Sequence, residues 1–174
     1  MNRKIDQAFG FQNQVDCMTG ACTVNLANKN IGSAQNSLVN PALSTAGDYA
    51  VNGVIHTATA SSTVFILADT TLAAGQAAGF VCCLNATGIT EGVGYATNVL
   101  TSAQVSTLGG TCALVLASDD LVMPTIPATM CPMGIYVCIA GDSAHVAGSN
   151  TFSTCTSDGG IHAFTQILNM NRIS

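Results

Sequence analysis

Basic side chains are almost missing from this chain. Residues 30–171 contain no Lys or Arg, and the four in the sequence are Arg3, Lys4, Lys29 and Arg172. The same stretch holds seven acids: Asp48, Asp69, Glu91, Asp119, Asp120, Asp142 and Asp158. Phosphate binding needs cationic groups, so no nucleic acid is expected as a partner. Charged residues make up only 7% of the 174 residues, against the usual quarter. Such a surface must rely on Ser, Thr, Asn and Gly for solubility, or bury much of itself against a partner. Long apolar runs are missing too. Nothing approaches the roughly 18 consecutive apolar residues of a membrane span, and the most apolar segment, Leu72 to Leu84, is short and carries glycines. No membrane partner is therefore expected. The N-terminus, Met-Asn-Arg-Lys-Ile-Asp-Gln-Ala-Phe-Gly, lacks the apolar stretch of a secretory signal, so synthesis in a reducing cytoplasm is the expectation. Apolar residues as such are plentiful, at 48%, which excludes the disordered class. The length suits one domain with a real core.

Recognisable chemistry is scarce as well. There is no Gly-x-Ser-x-Gly elbow, phosphate loop or metalloprotease helix. The eight cysteines are Cys17, Cys22, Cys82, Cys83, Cys112, Cys131, Cys138 and Cys155. Their even number is weak support for disulfides in a chain without a secretory signal. Cys17 and Cys22 have four residues between them, and Cys131 and Cys138 have six. Neither spacing is the short paired one of structural zinc sites, so no metal is expected and folding should need none. Cys82 and Cys83 are adjacent and in a strand point to opposite faces. The three histidines read as structural or solvated: His56 as a hydrogen-bonded wall residue, His145 as solvated in a Gly/Ser loop, and His162 as an exposed strand position. A Cys-His pair that meets only in space is not visible at this level. Asp119-Asp120 reads as a solvated turn rather than a general acid and base, and the loop carboxylates match no calcium-loop spacing. No catalytic residue, cofactor site or cofactor is assigned, and the chain is expected not to be an enzyme.

What is present is β-sheet material. Pro124, Pro127 and Pro132 fix φ and remove donors, so 124–132 should be extended and outside any ladder. Ile135 to Ile139 is an uncharged β-branched and aromatic run, with Ile135, Val137 and Ile139 on one face and Tyr136 and Cys138 on the other. Both faces are apolar, which predicts a central strand. Asp48 to Ala58 is β, with Asn52-Gly53 either turning a hairpin or bulging one long strand. Further strands are predicted at 63–68, 79–84, 89–95, 151–156 and 161–168, with loops at 70–76 and 141–150. Residues 98–108 are the one plausible helix, and Cys112 to Ala117 could be either strand or helix. Short strands with frequent turns predict an all-β fold, a sandwich or barrel-like domain over 45–174. Residues 1–44 are read as an extended N-terminal arm or a small N-terminal appendage, whose Ile5, Phe9, Phe11, Val15 and Leu26 need an apolar surface to sit on.

Four segments follow one another along the chain: Val51-Asn52-Gly53-Val54, Thr71-Leu72-Ala73-Ala74-Gly75-Gln76, Leu84-Asn85-Ala86-Thr87-Gly88 and Ile126-Pro127-Ala128-Thr129-Met130-Cys131-Pro132-Met133-Gly134. Their order and spacing carry a resemblance to the decoration or cement proteins of tailed bacteriophages. It implies a non-enzymatic virion structural protein on the outer surface of the capsid, made in the host cytoplasm. It also implies a homotrimer, with the major capsid protein as partner and the arm as the shell contact. A tail fibre, spike or receptor-binding module is the alternative, and a cysteine hydrolase the third reading. Closed symmetric oligomers are the common way to cover a surface of this kind. Light scattering on the full-length protein at micromolar concentration should therefore report a trimer, and a monomer would contradict the reading.

Overall fold

The computed structural model describes residues 24–25, 39–43, 47–51, 54–58, 64–86 and 91–166. The proposed shell contacts Ile5, Phe9, Phe11, Val15 and Leu26 lie outside them. The described residues are mostly strands with three short helices, and the main sheet curls into a half-barrel. The fold is thus of the all-β kind.

The centre of the sheet is set by β7 (Ala77–Asn85) and β9 (Met130–Ile139), which pair antiparallel from Ala77↔Ile139 to Asn85↔Met130. On the other side of β9 lies β11 (Ile161–Gln166), and on the other side of β7 lies β8 (Glu91–Ala96). The sheet continues through β5 (Val64–Leu67), β2 (Ala42–Leu43) and β1 (Val24–Asn25), giving the order β1-β2-β5-β8-β7-β9-β11. One pairing, β5 with β8, is parallel. Residues 40–43 belong to this sheet: the Leu67 amide donates to Asn40 Oδ1 and the Phe65 amide to the Pro41 carbonyl. They lie inside the range read as an arm.

All ten residues of β9 are buried. Strand alternation sends Ile135, Val137 and Ile139 into one core with Val81 and Cys83, and Tyr136 and Cys138 into a second core with Phe80 and Cys82. The central, two-faced strand expected from its composition is what the chain builds, and Cys82 and Cys83 do face apart. Two layers close these cores. Over the first lie α1 (Ser102–Thr107) and α2 (Cys112–Ala117), which insert Val105, Cys112, Val115 and Leu116. Over the second lie β3 (Gly47–Val51), β6 (Thr70–Leu72), β10 (His145–Ala147) and α3 (Phe152–Ser157), which supply Tyr49, Val51, Leu72, Ala147, Phe152 and Cys155. β3 pairs antiparallel with β4 (Val54–Ala58), and Val51 faces Val54, so the two are the arms of a hairpin rather than one long strand. The curl needs small residues inside. A Cβ at Gly92 of β8 would stand 2.5 Å from the Phe65 ring, so glycine lets β5 fold its aromatic side chain over β8.

Several expectations are corrected. The segment before β9 is free of strand only as far as 129, because Met130, Cys131 and Pro132 pair with Asn85, Leu84 and Cys83. Pro132 is tolerated because the register shifts between Cys82 and Cys83, and because the described pairing with β11 extends only to Gly134. Loops were expected at 70–76 and 141–150, yet β6 and β10 pair there as a three-residue ribbon. Residues 151–156 were expected as a strand, but Thr151 caps α3, its side chain accepting from the Thr154 amide. The helix expected at 98–108 is confined to α1, with a capping box between Thr101 and Gln104. Cys112 to Ala117 resolves as helix, capped by Thr111.

Ile135 is 1% and Ile139 6% exposed. Truncating a buried Ile to Ala costs about 2–5 kcal/mol, so Ile135→Ala and Ile139→Ala should each clearly lower the melting temperature. Ser143→Ala, at an exposed loop position, should leave it nearly unchanged. Thermal melts of the purified variants check this, and wild-type melting of both Ile variants would show the strand to be peripheral.

Candidate functional site

One cluster of chemically capable side chains forms inside the half-barrel. β9 directs Tyr136 and Cys138 to the inner face, and the register of β11 sets His162 opposite Cys138 and Phe164 opposite Tyr136. β10 adds His145, held in place by pairing of His145 with Leu72 of β6. α3 buries Phe152 and Cys155, one turn apart on one face. The Cys138 and Cys155 sulfurs stand 3.6 Å apart, and one donor atom from each of Cys138, His145 and Cys155 lies within 4.8 Å of the others. Aromatic rings wall the cluster: His162 stacks on Phe152 at 4.9 Å between centroids, and Tyr136 lies 5.5 Å from Phe152 and 5.9 Å from His162.

The chain is locked tightly around α3. A Cβ at Gly160 would stand 2.6 Å from Cys155 Sγ, so only glycine lets the turn into β11 pass over that sulfur. The Asp142 amide donates to the Asp158 carbonyl at 2.8 Å, tying the end of β9 to the end of α3.

Burial sets the electrostatics. His145 is 2% and His162 8% exposed. The solvated loop position expected of His145 and the exposed strand position expected of His162 are both corrected, because β10 and β11 turn these rings inward. Desolvation lowers the pKa of His145. Desolvation, together with the neighbouring His145, brings His162 down to about 4. Both imidazoles are therefore neutral at neutral pH and carry a nitrogen lone pair. His145 Nδ1 is buried without a hydrogen-bond partner. The hydrogen bond between the two thiols raises the pKa of Cys138 and lowers that of Cys155, and burial adds to the first and opposes the second. The Tyr136 hydroxyl adjoins Cys138 and stabilises its thiolate, although its geometry falls short of a good hydrogen bond. Burial pushes Tyr136 itself well above the usual phenol range. Two thiols and a neutral imidazole are chemically a set of soft and borderline electron-pair donors.

The remaining described residues offer less. Asp119 and Asp120 are exposed, and Asp120 accepts from the Gln104 side-chain nitrogen, as suits a solvated turn. His56 packs against Tyr49, with ring centroids 5.5 Å apart. Its Nε2 is buried without a hydrogen-bond partner, so the expected hydrogen-bonded wall residue is a wall residue held by ring packing. Cys131 is disulfide-bonded. Cys82, Cys83 and Cys112 are free and buried. Sequence spacing did not bring Cys138, His145 and Cys155 together, because they come from three elements joined by irregular segments. The comparisons do not extend the picture: no family model, curated protein or solved structure matches the chain.

Desolvation raises the thiol pKa of Cys82 and Cys83 and pushes Cys112 up to about 12. Thiolate, not thiol, attacks alkylating agents. At pH 8 the folded protein should keep Cys82, Cys83 and Cys112 unmodified by iodoacetamide, and denaturant should make all three react, as peptide mass spectrometry reads directly. Rapid native modification of any of the three would contradict their placement.

Proposed function

We propose that the protein is a non-enzymatic virion structural protein that decorates and stabilises the outside of a tailed-phage capsid as a homotrimer. The surface carries this reading. The described residues contain no Lys or Arg, while Asp69, Asp119, Asp120 and Asp142 are exposed. Amid this weakly charged surface, Ile66 of β5 and Val93 of β8 face each other in register, 47% and 38% exposed. An apolar pair on the outside of a sheet is suited to contact with a second copy of the chain. The thiols and imidazoles, by contrast, are largely sealed: Cys82, Cys83, Cys138, Cys155, His145 and His162 are all buried. A static scaffold accommodates that burial, whereas a nucleophilic enzyme needs its nucleophile to meet substrate.

The full architecture belonging to this proposal is a sandwich or barrel-like β domain with an N-terminal arm within residues 1–44 that grips the major capsid protein. An extended arm orders on binding, so several apolar anchors must offset its lost entropy. Phe9 and Phe11 are the largest of the proposed anchors. Phe9→Ser combined with Phe11→Ser should leave the melting temperature unchanged and abolish binding to particles that lack the protein. Density maps of particles with added wild-type protein should show many copies across the head. Full occupancy by the double variant would remove the arm from the proposal, and a few copies confined to the tail would favour the fibre or receptor-binding alternative.

A further inference from the structure

We propose that Cys138, His145 and Cys155 form a zinc-binding site inside the half-barrel, with two thiolates and one imidazole as ligands. The separation of the sulfurs is the first observation. Sulfurs bonded to a tetrahedral zinc at about 2.3 Å stand about 3.8 Å apart, and here the separation is 3.6 Å. A disulfide would hold them at about 2.05 Å, and both cysteines are free. A nitrogen ligand at about 2.0 Å from the same ion stands about 3.5 Å from each sulfur. The ring of His145 already lies within 4.8 Å of both, so little more than an ångström has to close.

The state of His145 is the second, independent observation. Its Nδ1 is nine-tenths and more buried and has no hydrogen-bond partner. Buried polar atoms are nearly always satisfied, and a metal ion is one of the partners that can satisfy them. A neutral imidazole is also the protonation state that ligates.

Charge is the third. Zinc displaces one proton from each thiol, and both protons leave for solvent. Two thiolates and one divalent cation sum to zero, so the core receives no net charge. That matters among Tyr136, Phe152 and Phe164, where an uncompensated charge would be costly. Thiolate and imidazole ligands select zinc over magnesium or calcium, which take oxygen. Three protein ligands leave one tetrahedral position open.

The test uses the full-length protein, reduced, stripped of metal by a chelator and kept free of oxygen. Titration with Co2+ should end at about one equivalent. It should give thiolate-to-cobalt charge-transfer absorption of two-thiolate intensity and the visible bands of a tetrahedral site, and Zn2+ should displace the cobalt. Cys155→Ser and His145→Ala should each weaken zinc binding by more than about tenfold, while Cys112→Ser, at a buried thiol in the other core, should not. Cys131→Ser, which removes a thiol that reduction of its disulfide would free, should keep the wild-type cobalt spectrum, so the spectrum decides the matter even if a variant of the site fails to fold. Reduced wild-type protein that develops no charge-transfer band overturns the proposal. So does a Cys155→Ser variant, shown by circular dichroism to be folded, that binds as tightly as wild type. Formation of a Cys138–Cys155 disulfide in place of metal uptake under these reducing conditions would also overturn it.

Discussion

A strand with no exposed face is the constraint from which the structure follows. Met130 to Ile139 is buried throughout, so each face needs a cover and each edge a neighbour. β7 and β11 take the edges. The faces are covered differently. Helices α1 and α2 close one, while the β3–β4 hairpin, the β6–β10 ribbon and α3 close the other. A strand buried on both faces has no place for a charge, and Met130 to Ile139 carries no Asp, Glu, Lys or Arg.

The same constraint explains what could be read from the sequence. Ile135 to Ile139 was legible because a strand buried on both sides appears as a continuous apolar run. Asn52-Gly53 signalled a hairpin or a bulge, and the choice between them needed the pairing of Val51 with Val54. The short elements were not. β6 and β10 span three residues each, below the length at which alternation can register. α3 is made of Phe, Ser, Thr and Cys, which are poor helix formers, so its one signal is the cap. Thr101, Thr111 and Thr151 play that part in turn, each accepting from a backbone amide three residues on. Reading Thr for its capping chemistry rather than its strand preference would have found α3.

The Cys138–His145–Cys155 cluster escaped for a related reason. His145 follows Cys138 by seven residues and Cys155 follows His145 by ten. Metal-binding motifs are recognisable when ligands share one turn or one helix, which fixes their spacing. Here the spacing is set by the route of the chain through β10 and α3. Their inward aim depends on pairing with β6 and on the covering of the inner face, and neither has a local signal. The burial of His145 could not be read from a Gly/Ser-rich neighbourhood for the same reason.

The parallel pairing of β5 with β8 bears on how the chain is born. Val64 to Leu67 pair with Glu91 to Gly94 and not with the strand that follows them. On the ribosome, β5 emerges more than twenty residues before its partner, and β2 and β1 attach to the sheet only through β5. The edge of β5 that faces β8 therefore stays unpaired while β6 and β7 are synthesised, and β1 and β2 share that wait because they reach the rest of the sheet through β5. Unpaired apolar strands are where nascent chains associate wrongly. The scarcity of charge removes the usual gatekeepers during that interval, between the making of β5 and the making of β8.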